Sequence, residues 1–417
     1  MGMTRPARTF HKRPAGAAKV PGSAPPLLAA LAGAVALAAA GALAGAGEPK
    51  ADDLATQADE LLKAQLKKMG EGYSGLVDRE RHIVYVSALD EEHFRQTREL
   101  IASYVDAQRR TLLETPLAWN LTVLLPTVDD NRKLIASRDG RGDGNRPGNR
   151  DANCTFIGLY EPRGHRLTAI DRGSVLIHEF THALHHADQV AAGQVHPPWV
   201  TEGLATLFES ARITPSGLEP NTDLRLYSLQ NAIRAKKTVP LDALFKMGHK
   251  PFLAQADLAY AESRYVMLYL HEKGRLRDWY KRYKATFAED PGGVKALEAM
   301  LNNKLATIEK EWLEWAAALK PPPLPKRAEK ARLGLEVQDD PAGVKVVGLA
   351  DGGAAKQAGR IQVGDVIQEF NGQKTANIAE FVAAVKSAGP MQTVKVKLLH
   401  RGQPLTVLQP LDSSSRP

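Results

Sequence analysis

Apolar and polar positions change their spacing repeatedly along the chain, and each change predicts a different kind of element. Residues 27–46, LLAALAGAVALAAAGALAGA, carry no charged or hydrogen-bonding side chain. Leu54, Ala58, Leu61, Leu62, Leu66 and Met69 then recur at helical spacing, which predicts an amphipathic helix over 52–69. His82–Ser87 and Trp119–Leu125 are β-branched and aromatic runs separated by a helical segment from about Glu91 to Leu113: strand, helix, strand. Residues 137–153, SRDGRGDGNRPGNRDAN, contain no apolar residue except Ala152 and predict a mobile surface loop. Asp139, Asp143 and Asn145 in that loop lack the closing glutamate of a calcium site, and Arg141-Gly142-Asp143 has no partners for an adhesion role.

Two short strands, Thr155–Tyr160 and Arg166–Ile170, precede a run of helices lasting to about Leu319, so the fold class is α+β. The segment KPPPLPKRAEKAR, Lys320–Arg332, cannot continue a helix and favours extended geometry, which makes it a stiff spacer between two domains. Short β runs around one helix, NIAEFVAAVKSA, complete the chain. The expected organisation is a leader over 1–46, a helical lead-in over 47–72, a domain with a small sheet and many helices over 73–319, a linker over 320–331, a small β-rich domain over 332–410 and a tail over 411–417.

Composition adds three constraints. A length of 417 residues exceeds what one compact core usually serves, so two or three domains are expected. The formal charge of +8 is concentrated in the first 47 residues and around the proline run; the rest is nearly balanced, which leaves nucleic-acid binding without a basic patch. Arg5, Arg8, Lys12, Arg13 and Lys19 ahead of the apolar stretch read as an export signal, with Ala44 and Ala46 at the spacing of a signal-peptidase site. The alternative is an uncleaved membrane anchor through residues 27–46, since ~20 apolar residues can cross a bilayer; alanine and glycine make a weak span, which favours cleavage. Either way the chain is expected to be exported, periplasmic or secreted. Cys154 is the only cysteine, so no intramolecular disulfide forms.

The segment VLIHEFTHALHH, Val175–His186, has no proline or glycine and can form one helix. His178 and His182 are four apart, so they project from one face a turn apart and can reach one cation with bonds of ~2 Å. Glu179, beside the first histidine, can approach a water near the cation without occupying a ligand position, as a general base must. The apolar flanks describe a buried helix, where unpaired polar groups cost ~1–3 kcal/mol each; histidines hydrogen-bonded within a core are the alternative. Zinc needs a third protein ligand and one open position. His186 continues the same helix face and cannot help to surround a tetrahedral ion, which leaves His185 and His186 to support or surface roles, and Asp188 lacks the glycine turn that would bring it back. Glu202 is the strongest candidate: it follows Pro197 and Pro198, which open a new helix able to run antiparallel to the first.

The block PPWVTEGLA following HEFTH resembles the gluzincin metallopeptidases, the thermolysin-like and aminopeptidase-like group with a peptidase MA-like domain, over roughly Tyr73–Leu319. The resemblance implies one Zn2+ per chain on His178, His182 and Glu202, with Glu179 as general base. It also implies Glu209 as the acidic residue that hydrogen-bonds a zinc histidine, against a surface carboxylate as the alternative. Tyr260, or less readily Tyr265, would be the donor to the oxyanion, against ordinary helix packing. Gly158–Glu161 would be an edge strand for the substrate backbone.

From Leu333 the runs LGLEV, GVKVVGLA and GDVIQEFNG resemble a bacterial PDZ domain of the kind carried by periplasmic serine proteases. That resemblance implies binding of a protein C-terminus, with its carboxylate at the backbone of Leu333, Gly334 and Leu335. Phe381, Val382 and Val385 would line the groove or the core, at least two of them the core. Together these expectations describe an exported zinc peptidase with a peptide-reading module. The alternatives are a non-catalytic scaffold that binds peptides and a zinc hydrolase of a non-peptide substrate.

Overall fold

The computed structural model describes residues 51–139, 158–170, 172–323, 331–389 and 392–413. The leader stretch, most of the 137–153 loop, Cys154 and the centre of the proline-rich segment lie outside the described residues. The fold is α+β. It opens with α1 (Ala51–Met69), β1 (Ser74–Asp78), β2 (Ile83–Ser87), α2 (Glu91–Thr111), β3 (Leu121–Leu125), α3 (Val128–Asp139), β4 (Gly158–Glu161) and β5 (Arg166–Ala169). The five strands form one sheet in the order β1-β2-β3-β5-β4. Pairing of β2 with β3 and of β3 with β5 is parallel, while β1 and β4 add antiparallel edges.

The sequence of β2 and β3 explains their central place. IVYVS and LTVLL are buried at every position, which is the uninterrupted apolar pattern of strands covered on both faces. A parallel pair needs a crossover, and α2 supplies it. It is started by Asp90, whose carboxylate accepts from the backbone N–H of His93 at 3.0 Å. Elements not expected from the pattern include β1, α3, the hairpin β6 (Arg212–Thr214) with β7 (Gly217–Glu219), and a two-residue strand, Asp412–Ser413, in the segment expected to be a disordered tail. β1 is half exposed along its length, and α3, VDDNRKLIASRD, lacks a clean apolar stripe. Residues 137–139, expected in the loop, are the last turn of α3.

Helices dominate after β5: α4 (Ser174–Ala192), α5 (Pro198–Phe208), α6 (Arg225–Ala235), α7 (Leu241–Phe245), α8 (His249–Ala254), α9 (Ala256–Glu272), α10 (Leu276–Ala285), α11 (Val294–Leu301) and α12 (Leu305–Ala318). α4 packs on β4 and β5, and α5 lies between α4 and α9. Gly203 permits the second contact: a Cβ there would stand 3.1 Å from the backbone oxygen of Ser263 and from Cγ of Met267. Trp199 anchors the start of α5, fully buried and stacked on Phe245 at 4.1 Å between ring centres.

The C-terminal part comprises β8 (Ala331–Arg332), β9 (Leu335–Asp340), β10 (Gly343–Leu349), α13 (Ala354–Ala358), β11 (Val366–Phe370), β12 (Gln373–Lys374), α14 (Ile378–Ser387), β13 (Thr393–His400), β14 (Gln403–Pro410) and β15 (Asp412–Ser413). Its sheet runs β14-β13-β11-β10-β9, with β12 paired to β11 across a turn in which Asn371 and Gly372 both have positive φ, 52° and 79°. The side chains of Val128 and Ile170 join its hydrophobic core. Arg360 donates to the carbonyl of Ala88 at 3.3 Å, Lys395 pairs with Asp130 at 3.1 Å, and Arg172 donates to the carbonyl of Leu411 at 3.5 Å.

Truncation after Pro323 would return Val128 and Ile170 to water. Each apolar side chain of that size contributes roughly 1.5–3 kcal/mol when fully buried, so the truncated chain is expected to unfold at a lower urea midpoint than the full chain. Equal midpoints would show that the contact adds nothing to stability.

Candidate metal centre

α4 is buried almost throughout, and it ends at Gly193, whose left-handed φ of 63° lets its N–H reach back to the carbonyls of Gln189 and Val190. His178 and His182 lie on one face of it and point their Nε2 atoms at each other, 3.1 Å apart. Pro197 and Pro198 open α5 as expected, and α5 brings Glu202 Oε2 to 3.4 Å from both Nε2 atoms. The three donors are buried.

The donor set fits a zinc ion. A tetrahedral site with bonds of about 2.0–2.1 Å has ligand-to-ligand edges of roughly 3.3–3.4 Å, and the three edges here are 3.1, 3.4 and 3.4 Å. Glu202 Oε2 is buried without a hydrogen-bond partner, a costly arrangement unless a cation occupies the triangle. The imidazole tautomer suits the same purpose. Glu209 Oε2 accepts from His178 Nδ1 at 2.8 Å, which places the proton on Nδ1 and leaves the lone pair of Nε2 for the triangle.

Electrostatics concentrates negative charge around the two imidazoles. Burial opposes charge on His178, but the surrounding carboxylates of Glu202, Glu209 and Glu179 outweigh it and favour a positive charge at this point, whether a proton or a cation carries it. Burial likewise opposes the charge on Glu202, yet His182 and His178 hold its carboxyl far below the usual range. Glu179 behaves differently: burial raises its pKa, and the two imidazoles only partly offset this. Its Oε2 accepts from the backbone N–H of Tyr160 on β4 at 2.7 Å. β4 is an edge strand, so Glu179 lies against the rim of the sheet beside the triangle and outside the donor set.

Tyr260, on α9, has its ring stacked near His178 at 6.5 Å between centres, and its hydroxyl is buried without a hydrogen-bond partner. Burial, then the Glu202 and Glu179 carboxylates, hold its pKa well above the usual phenol value, so it stays protonated as a donor. Tyr265 faces elsewhere, with its hydroxyl on the backbone of Asp223. Neither His185 nor His186 reaches the triangle; His185 is buried and His186 half-buried. His186 Nδ1 bonds the Tyr160 hydroxyl at 2.9 Å. Gln194 accepts from His196 Nε2 at 3.0 Å, leaving His196 Nδ1 to accept from His185 Nε2 at 2.8 Å. His196 N–H also donates to Gln189 at 2.7 Å, so the turn between α4 and α5 is fastened to α4 just ahead of the helix that carries Glu202. Asp188, buried, accepts from Thr115, Tyr280 and Lys284 and takes no part in the triangle.

In the C-terminal part β9 is the edge strand and α14 packs beside it. Gly334 takes a left-handed φ of 71° and approaches Gly353 so closely that a Cβ would stand 2.8 Å from its Cα. The carbonyls of Leu333 and Gly334 are occupied by the N–H groups of Ala355 and Ala350, both at 2.9 Å, and Leu335 begins β9. Phe381 is buried in the core, Val385 packs against it, and Val382 remains 37% exposed.

Residues 331–408 match the family model described as PDZ domain, and this part of the chain is a PDZ domain. No curated protein matches the chain. Among solved structures, the chain is similar to a serine endoprotease from Yersinia pestis, with 25% identity, 26% of this chain and 36% of that one covered and a TM-score of 0.19. It is also similar to an HtrA-type protease, AlgW, with decapeptide, at 19% identity, 27% and 35% coverage and a TM-score of 0.20. The chain spans about a third of the length of these proteases. A third likeness, to an aminopeptidase N family protein from Idiomarina loihiensis, covers 82% of this chain and 66% of that one at 12% identity and a TM-score of 0.32.

Gly158 on β4 packs against α4 so tightly that a Cβ would meet Val175 Cγ1 at 2.4 Å and Glu179 Cγ at 2.9 Å. Gly158→Ala must therefore push β4 and α4 apart, and the variant is expected to unfold at a lower urea midpoint than the wild type, since overpacking a tight contact costs ~1–3 kcal/mol. An unchanged midpoint would mean that the two elements part without loss.

The buried imidazoles make stability depend on pH. Burial holds the pKa of His196 down at about 3 and that of His186 at about 4, against an unfolded value of 6.5. Below the unfolded value the unfolded chain takes up protons that the folded chain refuses, so stability is intact above it and is lost as pH falls toward the folded values. By about pH 5 each such imidazole costs ~2 kcal/mol. Urea midpoints compared at about pH 7.5 and about pH 5 are expected to fall, and to fall less in His196→Gln; an equal drop in that variant would remove His196 from the explanation.

Proposed function

We propose that the chain is an exported zinc-dependent peptidase of the gluzincin type, with a PDZ domain that binds protein termini. The observation that carries this reading is the convergence of His178 Nε2, His182 Nε2 and the otherwise unpartnered Glu202 Oε2 on one buried point, with Glu179 beside it and free of it. A scaffold that only bound peptides would have no physical reason to bury those four groups together. These three donors would hold one Zn2+ per chain. When bound, zinc supplies Lewis acidity, polarising a scissile carbonyl and lowering the pKa of water toward ~7.

The protein's own residues do the rest. Glu179, whose pKa burial raises above the ordinary carboxylate value, takes the proton from the attacking water onto a carboxylate oxygen and returns it to the leaving amine nitrogen. The Tyr160 N–H holds that carboxylate in place. Tyr260 presents a protonated hydroxyl to the developing oxyanion, an interaction whose removal costs ~3 kcal/mol in comparable sites. β4, an edge strand among the described residues, pairs with the backbone of an extended substrate beside these groups, as an edge strand does when it is augmented. At the PDZ domain, the backbone from Leu333 to Leu335 receives a terminal carboxylate, and β9 pairs with the residues before it. The leader lies outside the described residues, and no helix among those described is long and apolar enough to cross a membrane.

Purified wild-type protein and Glu179→Gln are each expected to contain one zinc, with only the wild type cleaving a mixed peptide library, by a margin of ~100-fold or more. Zinc-free wild type would overturn the reading. Zinc without peptide cleavage would leave a hydrolase of another substrate. A parallel library with blocked N-termini separates endopeptidase from aminopeptidase action.

A further inference from the structure

Behind the His178–Glu209 pair lies a buried line of alternating charge that runs across four elements. Glu209 caps the C-terminal end of α5. One of its oxygens accepts from His178 Nδ1 at 2.8 Å, and the other accepts from the Arg225 guanidinium. Arg225 opens α6 and also donates to Asp223 Oδ2 at 2.7 Å. Asp223 Oδ1 in turn pairs with Arg264 Nε on α9 at 3.2 Å, and Arg264 donates to the carbonyl of Asn221 at 2.6 Å. Arg225 and Arg264 are 5% and 0% exposed, which excludes a surface ion pair loosened by solvent.

We infer that Arg225 is a positioning residue for the metal centre, acting through Glu209. Three physical points converge on it. A carboxylate at the C-terminal end of a helix faces the negative end of the helix dipole, so Glu209 needs a local cation to stay where it is. The guanidinium engages only one carboxylate oxygen, which fixes the rotation of the group and leaves the other oxygen aimed at Nδ1. That hydrogen bond keeps the proton on Nδ1 and orients Nε2 toward the triangle. Arg225 is itself held by Asp223, which the Tyr265 hydroxyl and Arg264 grip from the far side, so its head group has no freedom to follow a misplaced Glu209.

The inference rests on the zinc reading, and the test separates the two. Zinc affinity is measured by chelator competition, together with the melting temperature of the metal-free protein, for wild type, Arg225→Met, Arg225→Lys, Glu209→Gln and the double variant Arg225→Met with Glu209→Gln. Arg225→Met is expected to bind zinc about 10–100-fold more weakly, the range found when the outer partners of metal ligands are lost. Arg225→Lys, which keeps the buried charge, should recover part of that loss, and it also serves if Arg225→Met does not fold. Because Arg225 acts through Glu209, the double variant should bind zinc no more weakly than Glu209→Gln alone. Wild-type affinity in both Arg225 variants, or losses that simply add in the double variant, would overturn the inference. A lowered melting temperature with unchanged zinc affinity would do the same, since it describes a purely structural ion pair. A wild type without zinc affinity would instead remove the zinc reading, and this inference with it.

Discussion

The meeting of two imidazole nitrogens and one carboxylate oxygen inside a water-poor helix pair is the constraint to which most of the structure answers. His178 and His182 can oppose each other only because α4 is unbroken over their interval, and Glu202 can reach them only because α5 packs against α4 in a fixed register. That register is set from several directions. Trp199 seats the start of α5 in an aromatic stack, Gly203 lets α9 close on its outer face, and the His185–His196 pair with Gln189 ties the intervening turn to α4. Each device is neutral or apolar, so none competes electrostatically for the place where the charges gather.

Much of this was legible in the chain because helical spacing converts directly into shared faces. The i, i+4 pair, the absence of glycine and proline across it, and the two prolines before Glu202 each carry a local physical meaning that survives folding. β2, α2 and β3 were legible for the same reason, since continuous apolar runs bounded by polar turns have few alternatives. β1 and α3 were not, because a half-exposed strand and a helix without an apolar stripe have no periodicity to read. The supporting polar network was hidden for a different reason. Arg225, Asp223 and Arg264 lie far from His178 in sequence, and their charges look like ordinary surface residues until the fold buries the two arginines around a half-buried Asp223. A signal existed for the arginine on α9: it falls within the apolar and aromatic stretch Tyr260–Leu270, where a charge demands a partner.

The proline-rich segment suggested two bodies held apart by a spacer, whereas the PDZ domain makes specific contacts with α3 and with the connections that follow β2 and β5. Arg172 and Ile170 sit in the short connection between β5 and α4, and both touch the PDZ side. The contacts of Arg360 and Lys395 fix how the PDZ side meets the rest of the chain. Under the proposed function this matters for encounter. A peptide held by a module in fixed orientation meets the metal centre at an effective concentration set by geometry, while a freely swinging module would dilute that advantage over its range of motion.

The buried charges carry a cost that packing alone does not justify. Ion pairs taken out of water rarely outperform apolar residues of similar volume, and breaking one partner leaves an uncompensated charge. A chain selected only for stability would gain by replacing Arg225, Asp223 and Arg264 with apolar side chains, provided Glu209 were replaced too. What such a replacement could not retain is a carboxylate aimed at His178 Nδ1, because a lone acid at a buried helix end would rotate away or lose its charge. The line of charge is thus intelligible as the cost of holding one imidazole in one tautomer. The line ends at Arg264, which donates to the Asn221 carbonyl and lies over the Tyr265 ring at 5.9 Å.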